Sequence, residues 1–355
     1  MNFQDIKQIL LRGIQAPSGE NAQPWRFKVK EDSVLLFNNP ESDQSLYNYK
    51  QSGSLIAHGA FIENVVIAAM AFGYEVDVNY FPDSREPDFV ALMRFKPAAK
   101  KNHPLEPFIM HRSTNRKAYD GLPLTDYEKA ELEDIFSLAE DSIRSVLVED
   151  RVKISKLARA ASFNEQMLVD NKKIHDFFFA HVRWNEKENG EDPKGFYIDT
   201  LELKPPQVAV FKMLRRWSVA RILGAMGISR LVKNDNEKIY NTASAVIGIL
   251  AKNNTPLELI RAGRVLENIW LTAVRLKLSV QPMAGALFLA ESAQEGDTDS
   301  FSSLQKSKLG GIRSAVYDTL AADHAGEHVA IMIRIGHGGE PSARSARFAF
   351  DHFLL

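Results

Sequence analysis

The sequence of 355 residues contains no cysteine, and this absence excludes several classes of site at once. Disulfides, thiolate metal centres, iron–sulfur clusters and cysteine nucleophiles all need the missing thiol. Glycine and proline are also scarce, at 20 and 15 residues, which excludes fibrous and low-complexity architectures. The rest of the composition, 45% hydrophobic and 25% charged, is typical of a folded chain of one large domain or two ordinary ones.

The sequence also lacks an excess of charge of either sign. Its 44 basic and 45 acidic residues give a formal net charge of −1, so the chain has no overall attraction to phosphate backbones. The first residues show neither the basic nor the apolar region of a signal peptide, and the apolar runs are too short to span a bilayer. We therefore expect a cytoplasmic protein with no nucleic-acid partner and no membrane partner.

Several common site motifs are missing as well. His175 and His181 are six residues apart, which is the wrong spacing for one helix face, and no His-Glu-x-x-His pattern occurs. Neither a G-x-S-x-G hydrolase elbow nor a G-x-G-x-x-G turn after a strand is found. The sequence therefore predicts no metal site, and any NAD(P)H would bind transiently without a Rossmann domain.

An internal repeat is present. Residues 57–76 and 261–280 align at an offset of 204, and both have apolar positions at helical spacing, which predicts two largely buried helices. A chance likeness between two core helices is the alternative interpretation. The identical positions are Gly59 and Gly263, Glu63 and Glu267, Asn64 and Asn268, Ala69 and Ala273, and Val76 and Val280.

A second similarity supports the repeat. Residues 89–95 resemble residues 328–334, each an apolar run of strand length that follows one of the two helices. Their offset of 239 leaves about 35 extra residues in the second copy, which we place as a loop at 294–309. These observations predict two related halves, residues 1–103 and residues 104–355.

The periodicity predicts an α+β fold, because helices and antiparallel-looking strands mix without steady strand–helix alternation. The predicted helices are 3–15, 55–72, 125–138, 151–182, 206–224, 257–277 and 308–322. The predicted strands are a hairpin from 26 to 37, then 75–81, 88–95, 143–149, 279–282 and 327–335.

Three segments carry residues suited to binding. The loop at 16–27 offers Pro17, Ser18 and Asn21, whose small polar groups suit the edge of a flat polar ring, although an ordinary helix–strand connection would look the same. The segment at 111–119 contains Arg112, Ser113 and Arg116, which form either an anion cradle or a solvated turn.

The third segment, 334–347, leaves a strand through a glycine-rich turn. It then presents Arg344 and Arg347, three residues apart. This pair is either a second phosphate clamp or a basic tail.

Together, the A-P-S-x-x-N-x-Q-P-W loop, the R-S-T-N-R-x-x-Y segment and the G-x-x-x-E-N helix resemble the nitroreductase family of FMN proteins. The resemblance covers most of the chain and leaves out an insertion near 183–240. It implies a nitroreductase-like α+β fold. Members of that family are usually homodimers with FMN at the subunit interface, where one subunit supplies the Arg-Ser segment and the other supplies the Pro-Ser-x-x-Asn loop.

This sequence departs from the family pattern in a complementary way. Residues 1–103 contain the Pro-Ser-x-x-Asn loop without an Arg-Ser pair, and residues 104–355 contain the Arg-Ser segment without the loop. The chain therefore resembles the fused, dormancy-associated flavin-binding branch, a pseudo-dimer with one retained site. This implies no obligate partner subunit, although a weak homodimer remains open.

The resemblance implies roles for individual residues. Arg112 and Ser113 would hold FMN phosphate or ribityl oxygens, and Arg116 would lie near flavin N1 and O2. Gln281, Pro282 and Met283 would lie beside flavin N5, with Met283 equally interpretable as core. The remaining cofactor-binding residues are Pro17, Ser18 and Asn21 at the ring and Arg344 and Arg347 at the phosphate. No catalytic residue is assigned.

The implied function is an FMN-dependent oxidoreductase that takes electrons from NAD(P)H and passes them to a nitroaromatic, a quinone or a similar small acceptor. The alternative is a flavin-storage protein with covered FMN and no turnover. Residues 204–233 alternate apolar and basic side chains at helical spacing. They have three interpretations: a solvated amphipathic helix, a flap over the flavin, or a surface for a membrane or partner.

Overall fold

The structure is a computed structural model, and it describes residues 2–296 and 298–355. Ten strands are found in this part of the chain. They are β1 (Trp25–Lys30), β2 (Ser33–Asn38), β3 (Tyr74–Tyr80), β4 (Phe89–Pro97), β5 (Ile143–Val148), β6 (Val182–Arg183), β7 (Phe196–Tyr197), β8 (Ala245–Ala251), β9 (Ser279–Pro282) and β10 (His328–Gly336).

Thirteen α-helices accompany the strands over the same residues. They are α1 (Phe3–Gly13), α2 (Ser52–Phe72), α3 (Asp126–Ser137), α4 (Arg151–Ala161), α5 (Phe163–Asp170), α6 (Lys172–Ala180), α7 (Glu186–Glu191), α8 (Pro205–Leu214), α9 (Trp217–Ala225), α10 (Ile228–Tyr240), α11 (Pro256–Arg275), α12 (Gly285–Glu295) and α13 (Ser303–Leu320).

Two four-stranded antiparallel sheets form the frame of the fold. Their strand orders are β1-β2-β4-β3 and β5-β8-β10-β9. Each sheet places its strands in the order first, second, fourth, third, and in each a long buried helix connects the second strand to the third. The mixture of helices and antiparallel sheets confirms the α+β fold predicted from the sequence, and the two sheets share one topology.

The two repeat helices, α2 and α11, cross at their shared glycines. A Cβ placed on Gly59 would lie 2.0 Å from the carbonyl oxygen of Ile260, and one on Gly263 would lie 2.0 Å from that of Ile56. Only glycine permits an approach this close, since any side chain would overlap the backbone of the other helix. The crossing therefore joins the halves through direct backbone packing.

One hydrophobic core extends through both sheets and both repeat helices. Trp25 and Phe61 from the first half pack in the same cluster as Trp270 and Ile333 from the second. The stretch Tyr49–Phe72, which contains α2, is long and apolar enough to cross a membrane, but 78% of its most apolar window is buried inside the fold. We therefore interpret α2 as a core helix.

The structure corrects the predicted second half in several places. The predicted helix 206–224 is divided into α8 and α9, and α7 and α10 were not predicted. Strand β8, at the centre of its sheet, is absent from the sequence prediction because all seven residues are buried and the alternation of a half-exposed strand is missing. The predicted helix 151–182 is divided into α4, α5 and α6. The extra residues form α12 and a longer α13, where a loop was predicted at 294–309; Asp297, within that loop, lies outside the described residues.

The insertion forms a small subassembly with its own core. Strands β6 and β7 pair in parallel, and the cluster of Phe179, Val182, Ile198, Leu214 and Ala220 holds helices α8 and α9 against α6. This places the end of α6 and the segment around β7 beside the candidate site.

Candidate functional site

A cavity of about 310 Å³ lies between the two halves. Its walls come from the loop after α1, the segment before α3, the segment after β9, the repeat helices, the insertion and the C-terminal segment. Ten of the eleven residues predicted to bind the cofactor line this cavity, which brings together Pro17, Ser18, Asn21, Arg112, Ser113, Arg116, Gln281, Pro282, Arg344 and Arg347.

Arg112 and Arg347 form the cationic end of the cavity. The Arg112 Nη2 donates to the carbonyl of Gln15 at 3.0 Å, and the Arg347 Nη2 donates to the same carbonyl at 3.2 Å. Arg347 also donates from Nε to the carbonyl of Ile14 at 3.0 Å. These carbonyls follow the C-terminus of α1, where backbone acceptors are unpaired and the helix dipole favours cations.

Arg112 is fixed from two further sides. Its guanidinium lies 4.5 Å from the ring centre of Trp270, and its Nε lies 3.7 Å from Glu267 Oε1. Within the described residues, this buried Nε and both carboxyl oxygens of Glu267 have no hydrogen-bond partner. Arg344 completes the cationic end by donating to the carbonyl of Met110 at 2.9 Å.

Burial shifts the pKa values of Glu267 and Arg347 in opposite directions. It raises the pKa of Glu267 to about 7, with Arg112 opposing the change, so this carboxyl titrates near neutral pH. Burial, and then the neighbouring charge of Arg112, lower the pKa of Arg347 to about 9, which still leaves its guanidinium charged at neutral pH. The cationic end therefore carries a net positive charge that suits an anion.

The loop after α1 is held in a strained conformation. Glu20 and Asn21 have φ of 44° and 54°, in the left-handed region; asparagine adopts this region readily, whereas it is unfavourable for glutamate. Ser18 Oγ accepts the Gln23 N–H at 3.0 Å. The Asn21 amide donates to the carbonyls of Pro193 and Ala346, at 2.6 and 2.9 Å. Asn21 therefore ties the loop to both the insertion and the C-terminal segment.

Arg116 lies against the insertion. Its Nη1 donates to the carbonyl of Thr200 at 3.0 Å, and its guanidinium lies 5.6 Å from the ring centre of Phe196. Burial lowers its pKa, while nearby Tyr240 and Glu202 oppose the change. Arg116 thus brings a buried cation to the cavity wall under the insertion.

The segment around β9 contributes through its polar residues, and of the two interpretations of Met283 the structure supports the core and not the cofactor site. Gln281 Oε1 accepts from Arg334 Nε at 2.8 Å, and Arg334 is fully buried. Met283 packs in the core cluster with Leu287 and donates its N–H to the carbonyl of Met332. Its side chain and its N–H are both occupied, because the chain turns inward after β9. Ala284 and Gly285 line the cavity in its place.

An acidic group at the cavity wall escapes prediction from the sequence. Asp43 and Tyr47 come from the connection between β2 and α2, and Glu20 comes from the strained loop. Burial and the neighbouring Asp43 raise the pKa of Glu20, while burial, Glu20 and Glu165 raise that of Tyr47. Glu165 does not line the cavity, but it acts on Tyr47; burial raises its own pKa to about 7, although Tyr240 donates to its Oε1 at 2.8 Å. Glu20 occupies an unspecified position of the loop motif, and Asp43 and Tyr47 belong to no motif.

Of the three interpretations of residues 204–233, the flap over the cavity is not supported by the structure. The cavity is lined by Phe178, Gly195, Phe196 and Thr200, while no residue of 204–233 reaches it. The Gly195 N–H donates to the carbonyl of Glu20 at 2.7 Å, so the segment around β7 is held against the loop that follows α1. The cover is therefore the segment around β7, and helices α8 and α9 support it from outside through the cluster around Phe179.

A second, shallower cleft of about 270 Å³ occupies the repeat-related position. At the offset of 204, its residues Val66, Asp77 and Val78 correspond to Trp270, Gln281 and Pro282 of the first cavity. Its two cations are already paired. Lys96 contacts Asp77 at 3.2 Å, and Arg264 contacts Glu63 at 2.6 Å and the hydroxyl of Tyr80 at 2.8 Å. The arginine cluster of the first cavity has no counterpart among the residues that line this cleft.

No family model matches the chain. By sequence it is similar to three proteins of Mycobacterium tuberculosis strain CDC 1551 / Oshkosh. "Uncharacterized protein MT1398" is 25% identical over 345 residues, or 94% of this chain and 46% of the relative. "Putative NAD(P)H nitroreductase acg" is 28% identical over 179 residues, which are 49% of this chain and 53% of the relative. "Putative NAD(P)H nitroreductase MT3217" is 27% identical over 291 residues, which are 81% of this chain and 78% of the relative.

The alignment therefore spans about half the length of the first two relatives. Among solved structures, the FMN-dependent nitroreductase NfnB from Mycobacterium smegmatis in complex with NADPH gives a TM-score of 0.40 at 12% identity, covering 70% of this chain and 95% of that one. A nitroreductase with bound FMN from Bacteroides fragilis gives a TM-score of 0.36 at 10% identity, and the match covers 69% of this chain and 94% of that one. By sequence, the chain is thus a relative of proteins named as NAD(P)H nitroreductases.

Proposed function

We propose that the chain is an FMN-dependent oxidoreductase of the nitroreductase type, with one FMN bound in the cavity between its two halves. The observation that carries the proposal is the pair Arg112 and Arg347, two buried guanidinium groups that share the carbonyl of Gln15. Two like charges in contact are favourable only when an anion or a set of acceptors compensates them. A phosphate dianion would supply that compensation.

The residues present fit FMN at both ends of the molecule. The unpartnered Arg112 Nε and the cation Arg344 would hold the phosphate, and Ser113 would add a hydroxyl donor. Pro17 and Ser18 on one side would hold the ring between the halves, with Gln281, Pro282, Ala284 and Gly285 on the other. When bound, FMN supplies the hydride chemistry, while the protein supplies position and charge.

The chain's own residues would favour reduction and control access. Arg116 would stabilise the negative charge that reduction places on the ring. This stabilisation would be reduced because the guanidinium also interacts with the Thr200 carbonyl and with the nearby Glu165 carboxyl. Phe178 and Phe196 would exclude water from the cavity.

The proposal includes NAD(P)H as a transient electron donor and a nitroaromatic, a quinone or a similar small molecule as the acceptor. It also includes a pseudo-dimer of residues 1–103 and 104–355, a cytoplasmic location, and no obligate partner subunit. Names of relatives support the donor and the reaction class. The structural support for the pseudo-dimer is that the cavity receives the loop from one half and the arginines from the other.

A flavin-storage protein is the second candidate, and one observation favours it. The segment around β7 is tied to the strained loop by two hydrogen bonds, from Gly195 N–H to Glu20 and from Asn21 to Pro193. A cover fastened in this way would hinder a second substrate from reaching the ring.

Anaerobic addition of NADPH to the flavin-loaded protein separates the two candidates. Bleaching of the flavin band, followed by its return when a quinone is added, supports the oxidoreductase. A bound flavin that keeps its oxidised spectrum through a long incubation supports storage. Failure to bind FMN at all contradicts both.

A further inference from the structure

Helices α8, α9 and α10 carry a cluster of unpaired cations on the outer side of the insertion. Between residues 203 and 234 the sequence has seven lysines and arginines and no acidic residue. Six of the seven are exposed and, over the described residues, form no ion pair, although the guanidinium of Arg215 lies 5.6 Å from the ring centre of Trp184. These six, which we call the basic patch, are Lys204, Lys212, Arg215, Arg216, Arg221 and Arg230.

The seventh cation shows why the others are unpaired. Lys233 contacts Glu237 at 2.8 Å, one helical turn later, and Glu237 also contacts Arg159. Pairing therefore begins where acidic residues return to the sequence. In a chain with a net charge of −1, the positive charge of the patch is a local feature that no overall excess explains.

Large apolar side chains are exposed among these cations. Met226 is 76% exposed and Ile222 is 59% exposed, and their spacing of four residues places both on one face of the end of α9. Gly227, with φ of 96°, turns the chain into α10, where Leu231 is 54% exposed. Ile222, Met226 and Leu231 form what we call the apolar tip, and the exposed Arg221 and Arg230 directly precede Ile222 and Leu231 in the chain, so cations and apolar side chains are exposed around the same turn.

The inner faces of these helices are already occupied. Leu214 of α8 and Ala220 of α9 are buried against Phe179 and Ile198, in the small core of the insertion. The exposed apolar residues are therefore additional to those that hold the insertion together. None of the patch residues lines the cavity, so the patch is separate from the proposed cofactor site.

We propose that the basic patch and its apolar tip bind the surface of an anionic lipid bilayer. Exposed cations are attracted to acidic headgroups, while Met226 and its apolar neighbours enter the boundary between headgroups and acyl chains. This combination distinguishes a lipid surface from a nucleic acid, which would use the cations and leave the methionine in water. The proposal departs from the expectation of no membrane partner, and it is independent of FMN binding.

Vesicle flotation tests the proposal with the full, flavin-loaded chain. Vesicles of phosphatidylcholine with 30% phosphatidylserine should carry the protein, and pure phosphatidylcholine vesicles should not. The double variant Arg221→Ser/Arg230→Ser should lose affinity about 25-fold, since each cation near an anionic surface contributes about fivefold. Lys100→Ser/Lys101→Ser removes the same charge from an exposed site elsewhere and should leave binding unchanged.

The apolar tip has its own variant. Met226→Ser should weaken vesicle binding about tenfold, because a buried methionine side chain stabilises the bound state by an amount of that order. Leu138→Ser, at a residue 79% exposed outside the insertion, is the matched control. Equal binding to both kinds of vesicle overturns the proposal. The proposal is also overturned if the protein binds a short DNA duplex more tightly than the anionic vesicles and Met226→Ser leaves the DNA binding unchanged. That result would assign the basic patch to nucleic acid.

Discussion

Arg112 and Arg347 donate hydrogen bonds to the same acceptor, the carbonyl oxygen of Gln15, over 3.0 and 3.2 Å. One arginine precedes α3 and the other lies in the C-terminal segment, and they meet at the end of α1. The helix end tolerates two adjacent cations because its terminal carbonyls need donors. The same positive pair is available to an anion that enters the cavity.

Loss of either guanidinium should release FMN. An arginine–phosphate contact is charge-assisted and contributes about 1.5–3 kcal/mol, so Arg112→Ala and Arg347→Ala should each weaken FMN binding roughly 10- to 150-fold. Fluorescence titration of the apoprotein measures this. Arg85→Ala, at an exposed arginine far from the cavity in sequence, is the control and should not change the affinity. Full flavin retention in both cavity variants would reject the phosphate assignment.

Glu267 should make the stability of the protein depend on pH. Burial raises the pKa of Glu267 to about 7 in the fold from 4.5, so the folded state binds a proton that the unfolded state has released. Its contribution is fully present below pH 4.5 and is lost as the pH rises to about 7, by at most about 3 kcal/mol. Urea unfolding at pH 5 and pH 8 measures the change.

The variant Glu267→Gln tests this assignment, since an amide cannot titrate. Its free energy of unfolding should fall less between pH 5 and pH 8 than that of the natural protein. A variant with the same pH dependence as the natural protein would show that another group is responsible.

The helix crossing should tolerate no side chain. Gly59→Ala and Gly263→Ala each place a Cβ 2.0 Å from a backbone oxygen, and overpacking of this kind costs at least about 2 kcal/mol. Gly311→Ala is the matched control, because this glycine lies inside α13 with no atom within 4 Å of its Cβ position. It should stabilise the protein by up to about 1 kcal/mol. Thermal unfolding that gives all three variants the same melting temperature would contradict the close approach.

The cover over the cavity should control flavin reduction. Phe196→Ala removes a ring that lines the cavity and lies over Arg116, so NADPH should bleach the flavin faster. Met213→Ala alters an exposed residue of α8 outside the cavity and should leave the rate unchanged. Stopped-flow absorbance compares them. Faster flavin reduction in Met213→Ala alone would indicate that residues 204–233 cover the cavity.

The sequence predicted the fold where periodicity was strong. The repeat helices have unbroken apolar patterns, and the hairpin near Arg26 alternates because one face of it is covered. Strand β8 was missed because a central strand buried on both faces has no alternation to detect. Helix α12 was missed because its small, mostly buried residues resemble a connection more than an amphipathic helix.

The candidate site was predictable where motifs specify short segments. The arginines and the Pro17 loop are local patterns, and the structure brings them together. The acidic residues Glu20 and Asp43 meet only through tertiary packing, so no spacing in the sequence indicates them. The segment around β7 was not identified as the cover because a two-residue strand has almost no sequence signal, whereas the basic amphipathic pattern at 204–233 allowed a flap as one of three interpretations.

The central claim is one FMN per chain, bound between its two halves. The second cleft should stay empty, because its cations Lys96 and Arg264 are already paired with carboxylates and a phosphate there would lack free donors. Native mass spectrometry of the flavin-loaded protein measures the stoichiometry directly. The account predicts a single chain that carries one FMN and keeps it on dilution. Two FMN per chain, or flavin bound only to a dimer that loses it on dissociation, would contradict it.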